Sequence, residues 1–214
     1  MSAAATSTQI LFIDALVQDI DTLLSTIDPS IEVILLNDQQ DGLAQIANAL
    51  AGRSDIDAVH VISHGGSGSL QLGSGEVTEA TLAGQAEQLA QIRAALSDSA
   101  DLMLYGCNVA EGTNGASFIE ALANATGADV AASTDLTGSA LLGGDWVLET
   151  STGAIEAPAI EVASYDALLG ADGSIPGGLT GSGPWSWGGY NFQAKFDGEI
   201  TDSDPENPMR AGNK

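Results

Sequence analysis

The chain has 214 residues, 44% hydrophobic and 16% charged, enough apolar material for one ample α/β core and unlike a disordered tail. Its charge is one-sided, with 29 acidic residues against five basic ones (Arg53, Arg93, Lys195, Arg210 and Lys214) and a net −24 at pH 7. Almost nothing can neutralise phosphates, which excludes nucleic acid and anionic lipid as partners; a single cysteine excludes an internal disulfide, and no apolar run is long enough to span a membrane.

In chain order, MSAAATSTQILFIDAL lacks the basic region of a Sec signal peptide, and residues 1–8 read as a tail. QILFI (9–13) is a short buried strand ending at Asp14. Leu16, Ile20, Leu23 and Ile27, with Val17 and Leu24, then repeat at helical spacing until Pro29. IEVILL (31–36) is the second strand; Leu43, Ile46, Ala47 and Leu50 form the next helical stripe, with Gly52 as its C-cap. IDAVHVIS (56–63) is the third strand. Thr78 caps a long helix marked by Leu82, Ala86, Leu89, Ile92 and Leu96. ADLMLYG (100–106) is the fourth strand, Phe118, Leu122 and Ala125 share a helix face closed by Gly127, and DVAAS (129–133) is the fifth strand.

Apolar strands alternating with amphipathic helices specify a three-layer α/β/α sandwich with a mainly parallel sheet. SALLGGDWVLET predicts a C-terminal hairpin turning at Gly143–Gly144, and GAIEAPAIEV a further edge strand. This domain spans 9–169. Residues 170–214 read as a Gly/Ser/Pro-rich linker followed by an extended acidic tail; Trp185 and Trp187 either pack on the domain's flank or dock into its cleft.

In parallel sheets, chemistry gathers at the carboxyl ends of the strands. His64, in VISHGG, ends the third strand, and Cys107, in LMLYGCN, ends the fourth, 43 residues later. A Cys–His nucleophile needs a thiolate, a base within reach and backbone N–H donors for the developing oxyanion. Gly65, Gly66 and Gly106 allow the close backbone approach that such a site requires. A lone cysteine is also a common buried filler. His60, in mid-strand, reads as a structural histidine. One cysteine and two histidines without a C-x-x-C or H-x-x-x-H pattern argue against a His/Cys metal site.

The blocks ending in His-Gly and Gly-Cys resemble the clan CD cysteine peptidases, the caspase–gingipain–clostripain group. More closely, VISHGGSGSLQLG, LMLYGCNVAEG, GASFIEALANATGADVAASTD and GGDWVLE resemble the DUF4347 domain, over roughly residues 9–169. That bacterial domain typically stands near the N-terminus of very large secreted or surface proteins. The resemblance implies a caspase-like sheet, His64 as base, Cys107 as nucleophile, and the backbone N–H groups of Gly65 and Cys107 as oxyanion donors. It implies a secreted or cell-surface setting and a polypeptide substrate, either the chain itself or its parent protein, with a monomer favoured.

In that architecture the position of Asp14 helps to line the primary substrate pocket, where a carboxylate would suit Arg or Lys; a helix N-cap is the alternative. Asn108, Ser133, Thr134 and Asp135 lie near the same rim. Lys195 and Arg210 would then be the exposed self-cleavage sites. The competing expectation is a non-catalytic head or adhesion module that retains the fold without the activity. The chemistry requires no cofactor. The acidic stretches DLTGSALLGGD (135–145) and DGEITDSDPE (197–206) favour calcium as an activating cation over an inositol phosphate, although neither is an EF-hand loop.

Overall fold

A strand covered on both faces must be apolar at successive positions, and β1 (Gln9–Asp14) meets this condition: Ile10, Leu11, Phe12 and Ile13 are all buried. The computed structural model describes residues 8–170 and the backbone of three strands within 185–202. Two compact units divide the chain, Met1–Ser174 and Ile175–Lys214.

The first unit continues through α1 (Ile20–Thr26), β2 (Glu32–Leu36), α2 (Gly42–Leu50) and β3 (Ile56–Ile62). Next come three short strands, β4 (Gly65–Gly66), β5 (Ser69–Leu72) and β6 (Gly75–Thr78), which pair antiparallel as a small separate sheet. After them follow α3 (Glu79–Leu82), α4 (Ala86–Ala95), β7 (Leu96–Tyr105), α5 (Gly112–Thr126), β8 (Asp129–Ala132) and β9 (Thr150–Ser151). The central sheet has the order β2-β1-β3-β7-β8-β9; its first five strands are parallel and β9 closes one edge antiparallel. The three-layer α/β/α expectation therefore holds.

Alternation along each strand feeds two apolar layers. Ile10, Phe12, Val59, Val61, Leu102, Leu104 and Val130 pack with Leu43, Ile46 and Leu50 of α2, Leu89 and Ile92 of α4, and Phe118 and Leu122 of α5. The opposite face carries His60, stacked on Tyr105, and Tyr105 in turn meets Trp146 and Ile160 of the long segment after β8.

Four expectations are corrected. The long helix from Thr78 breaks into α3, a 3-10 turn at Ala83–Gln85 and α4, with Gly84, a poor helix former, at the break. Thr78 does cap its start: Thr81 N–H reaches the Thr78 hydroxyl. The first helix begins at Ile20 rather than Leu16, because residues 15–18 turn and Asp19 takes a left-handed backbone, φ 48°, that interrupts a helical run. No hairpin forms around Gly143–Gly144. A 3-10 turn occupies Ala140–Leu142, and the backbone of 136–139 bonds Asp145 and Ala167 instead of a returning strand. GAIEAPAIEV likewise forms no strand, although Ile160 and Val162 are buried.

In the second unit, β10 (Trp185–Trp187), β11 (Tyr190–Ala194) and β12 (Ile200–Asp202) form an antiparallel sheet where a linker and tail were expected. The placements expected for the Trp185 and Trp187 side chains, and Lys195 and Arg210, lie outside the described residues.

Candidate functional site

β3 and β7 are neighbours in register, Ile62 opposite Tyr105, so the chain leaves both at the same edge of the sheet. The Ser63 N–H donates to Tyr105 O at 3.0 Å and extends the pairing one residue beyond the strands. There the two loops touch backbone to backbone. A Cβ on Gly106 would lie 3.0 Å from Ser63 O and 3.1 Å from Gly65 N, and one on Gly65 would lie 2.9 Å from Cys107 O. Glycine at both positions is what lets the His64 and Cys107 loops meet.

His64 is buried, and its Nε2 lies 3.1 Å from the Leu16 carbonyl oxygen. A carbonyl only accepts, so Nε2 carries the proton and Nδ1 holds the free lone pair. Nδ1 is buried and has no partner among the described residues. That is the arrangement of a base with one nitrogen anchored and the other available.

Asp14, expected in the substrate pocket, is fully buried. Its Oδ1 accepts the Leu16 N–H at 2.9 Å and its Oδ2 accepts the Gly73 N–H. Both oxygens are therefore spent on backbone, and Asp14 is not the helix cap either, since α1 starts at Ile20. It holds the turn whose next group, the Leu16 carbonyl, orients His64.

Cys107 is fully buried. The Thr137 N–H donates to its Sγ at 3.3 Å, and Sγ lies 3.5 Å from Thr137 O. Thr137 is itself tied to the loop through its hydroxyl, 3.0 Å from Gly106 O. Burial pushes the thiol pKa up, the N–H groups of Thr137 and Leu169 pull it back, and the charge of Asp135 adds to the rise. Cys107 therefore rests as a neutral thiol at pH 7 and needs a base to become a nucleophile.

The two backbone N–H groups picked out as oxyanion donors converge. Gly65 N–H and Cys107 N–H both donate to one oxygen, the carbonyl of Leu169, at 2.9 and 3.0 Å. Leu169 N–H donates to Thr137 O at 3.0 Å, and Ser139 N–H to Ala167 O at 2.9 Å. Two donors from different loops aimed at one carbonyl oxygen, next to a thiol, can stabilise charge developing on that oxygen.

The remaining rim residues brace the loop after β8. Asn108 adopts a left-handed backbone, φ 62°, and its N–H donates to Asp135 O at 2.7 Å. Ser133 is buried and exchanges hydrogen bonds with Asp135; the Thr134 N–H and hydroxyl both reach Glu149. Asp135 is exposed, and partial burial followed by the charges of Glu149 and Asp145 raises its pKa. Asp135, Asp145 and Glu149 bring oxygens within 4.8 Å of one another, as do Asp101, Asp129 and Glu156 at the opposite end of the sheet. The first trio is exposed throughout, and a solvated acidic cluster does not by itself define a cation site. In the second, Asp101 is buried, with Oδ2 accepting the Glu156 and Ala157 N–H groups and Oδ1 unpartnered among the described residues. The stretch 197–206 lies largely outside the described residues.

Sequence reasoning missed Leu16, Thr137, Ser139 and Leu169. Each acts at the site through backbone atoms that any residue would supply, so residue type carried little signal; only the Thr137 hydroxyl, on Gly106 O, adds a side-chain contact.

Residues 10–169 match the family described as a domain of unknown function, DUF4347. No curated protein and no solved structure matches the chain. The match covers most of the sequence, from the first strand to the residue whose carbonyl the two donors hold, and the chain belongs to the DUF4347 family.

Proposed function

We propose that the domain is a cysteine endopeptidase of the clan CD, caspase-like type, which processes its own chain or the larger secreted or surface protein to which it belongs. Cys107 is the nucleophile, His64 the base, and the N–H groups of Gly65 and Cys107 the oxyanion hole. The observation that carries the reading is the convergence of those two N–H groups on a single carbonyl oxygen at 2.9 and 3.0 Å.

The chemistry follows from the tautomer. With Nε2–H held by Leu16 O, His64 Nδ1 takes the thiol proton, and the thiolate attacks the substrate carbonyl carbon. The electron pair moves onto the oxygen, where two preorganised donors replace water without reorganising. His64 Nδ1–H then protonates the leaving amine, and a water activated by the same nitrogen hydrolyses the thioester. Asp14 contributes only through the Leu16 turn, as a positioning residue.

A second reading is a non-catalytic head that keeps the fold, and the complete burial of Cys107 with its raised thiol pKa favours it. Peptide-library digestion and iodoacetamide labelling of the full chain separate the two. The peptidase reading expects cleavage that vanishes in Cys107→Ala and in His64→Ala, and labelling of Cys107 that His64→Ala slows. An inert, unlabelled cysteine in a protein that cuts nothing would establish the head.

A further inference from the structure

We infer that the segment Ala167–Gly170 is the domain's own bound substrate and that the Leu169–Gly170 peptide bond is the one it cuts. This rests on the peptidase reading above and names its substrate. The specificity is accordingly for leucine before the scissile bond, not for the basic residue that an Asp14-lined pocket would have selected.

Four contacts place the segment. The Leu169 carbonyl oxygen receives both oxyanion donors, so its carbon is the electrophile the site is built to activate. The segment runs antiparallel to the 137–139 backbone, with Leu168 opposite Gly138, Leu169 N–H on Thr137 O and Ala167 O on Ser139 N–H. This is strand addition, the way extended peptides are held for recognition. The thiol is close by, since the Thr137 carbonyl oxygen that receives the Leu169 N–H at 3.0 Å also lies 3.5 Å from Cys107 Sγ. Beyond the bond, Gly170 pairs in parallel with Gly65, which keeps the leaving nitrogen beside the His64 loop.

The side chains agree. Leu169 is fully buried, and Leu168 sits where a Cβ on Gly144 would come within 2.8 Å of its Cδ2. A strap with a purely structural role needs only the ladder to 137–139. It has no use for a carbonyl shared by N–H groups from two separate loops beside a cysteine. The family match ends at 169, so the residues before the bond belong to the shared domain and the Gly/Ser/Pro-rich run after it does not.

In the step, the Cys107 Sγ–C bond to Leu169 forms as its proton passes to His64 Nδ1. The Leu169–Gly170 C–N bond breaks, with that proton going to the Gly170 nitrogen. Water then cleaves the thioester, leaving Leu169 as a carboxylate and restoring the thiol.

The test is intact-mass analysis of the full chain over time, beside digestion of an unrelated peptide library, for wild type, Cys107→Ala, Leu169→Lys and Gly170→Pro. The expected result is conversion of wild type to fragments 1–169 and 170–214, none in Cys107→Ala, and at least a 100-fold loss at this bond in the other two. Gly170→Pro changes the leaving nitrogen without altering the buried Leu169 side chain, and its melting temperature reports whether the fold is kept. Cys107-dependent cleavage of library peptides, or of the chain at another bond, with Leu169–Gly170 intact, would overturn this inference and leave the peptidase reading standing. Faster cleavage in Leu169→Lys would overturn the leucine specificity. An equal cut in Cys107→Ala would overturn it too, by assigning the event to another agent. Absence of cleavage in both assays would remove the inference together with the reading beneath it.

Discussion

Two histidines lie four residues apart, and the structure gives them opposite circumstances. His60, inside β3, is fully buried, stacked on Tyr105 at 6.1 Å, with Nε2 3.2 Å from Gln9 Oε1 and Nδ1 3.5 Å from the Tyr105 hydroxyl. Both its nitrogens face partners, and burial lowers its pKa to about 4. His64, just past the strand, has one nitrogen anchored and the other free. A satisfied ring stabilises the fold, whereas a half-satisfied ring on a loop that touches the cysteine loop retains a lone pair for chemistry.

The sharpest way to break this comparison is to remove each member. Cys107→Ala and His64→Ala are each expected to lower cleavage by about 1,000-fold or more, because nucleophile and base act as a unit. Circular dichroism and melting should show both variants folded. His60→Ala is expected to do the reverse, costing about 2–4 kcal/mol in urea unfolding through a cavity and the loss of its hydrogen bonds. If His60→Ala kept full stability but lost cleavage, the roles assigned to the two rings would be exchanged.

Acid sharpens the same contrast. The folded pKa of His60 lies below its unfolded value of 6.5, so the native state resists the proton that the unfolded chain accepts. Its contribution is fully present above pH 6.5 and is lost as pH falls through about 4, by about 3 kcal/mol over that window. Urea melts at pH 7, 5.5 and 4 of wild type and His60→Gln should differ by this amount, the many carboxylates contributing alike to both. Parallel pH profiles would show that His60 is not held neutral.

Asp14 links the two regions. Asp14→Ala leaves the buried Gly73 N–H and the part-buried Leu16 N–H without their acceptor and is expected to cost about 2 kcal/mol of stability. As the Leu16 carbonyl drifts, cleavage should also slow by about tenfold, the loss lying in kcat rather than KM. A positioning role predicts that Asp14→Asn, which keeps an acceptor, recovers part of the rate. A pocket carboxylate would instead change which residue is accepted before the scissile bond.

The smallest effect concerns cations. Calcium at several times its dissociation constant is expected to stabilise the fold by about 1 kcal/mol, with the shift reduced in Asp101→Asn, which removes one charge from the Asp101, Asp129 and Glu156 cluster. Melting curves in EDTA, calcium and inositol hexakisphosphate read this directly. The phosphate should have no effect on a chain of charge −24.

Much of the architecture was legible because it is written in side chains. QILFI, IDAVHVI and ADLMLY are apolar on both faces, as only covered parallel strands need to be, and the 3.6-residue stripes of α2 and α5 gave the helical layer. The small sheet of β4 to β6 and the loops at 140–165 were not anticipated correctly. GGDWVLE has the turn glycines of a hairpin, but its neighbours had already committed their N–H groups to Asp145 and Ala167, a competition no local pattern records.

The sequence by itself determined the sheet, its layers, and the placement of one histidine and the only cysteine at strand ends, since apolar periodicity and glycine position are local properties. Tertiary structure alone decided which nitrogen of His64 is free, that Asp14 serves a turn instead of a pocket, and that Leu169 presents its carbonyl to Gly65 and Cys107. The long-range contacts behind those assignments, His64 with Leu16, Asp14 with Gly73 and Leu169 with Gly65 and Cys107, join residues more than 40 apart in the chain, and every non-proline residue offers the same N–H and C=O, so only their meeting in space distinguishes one from another.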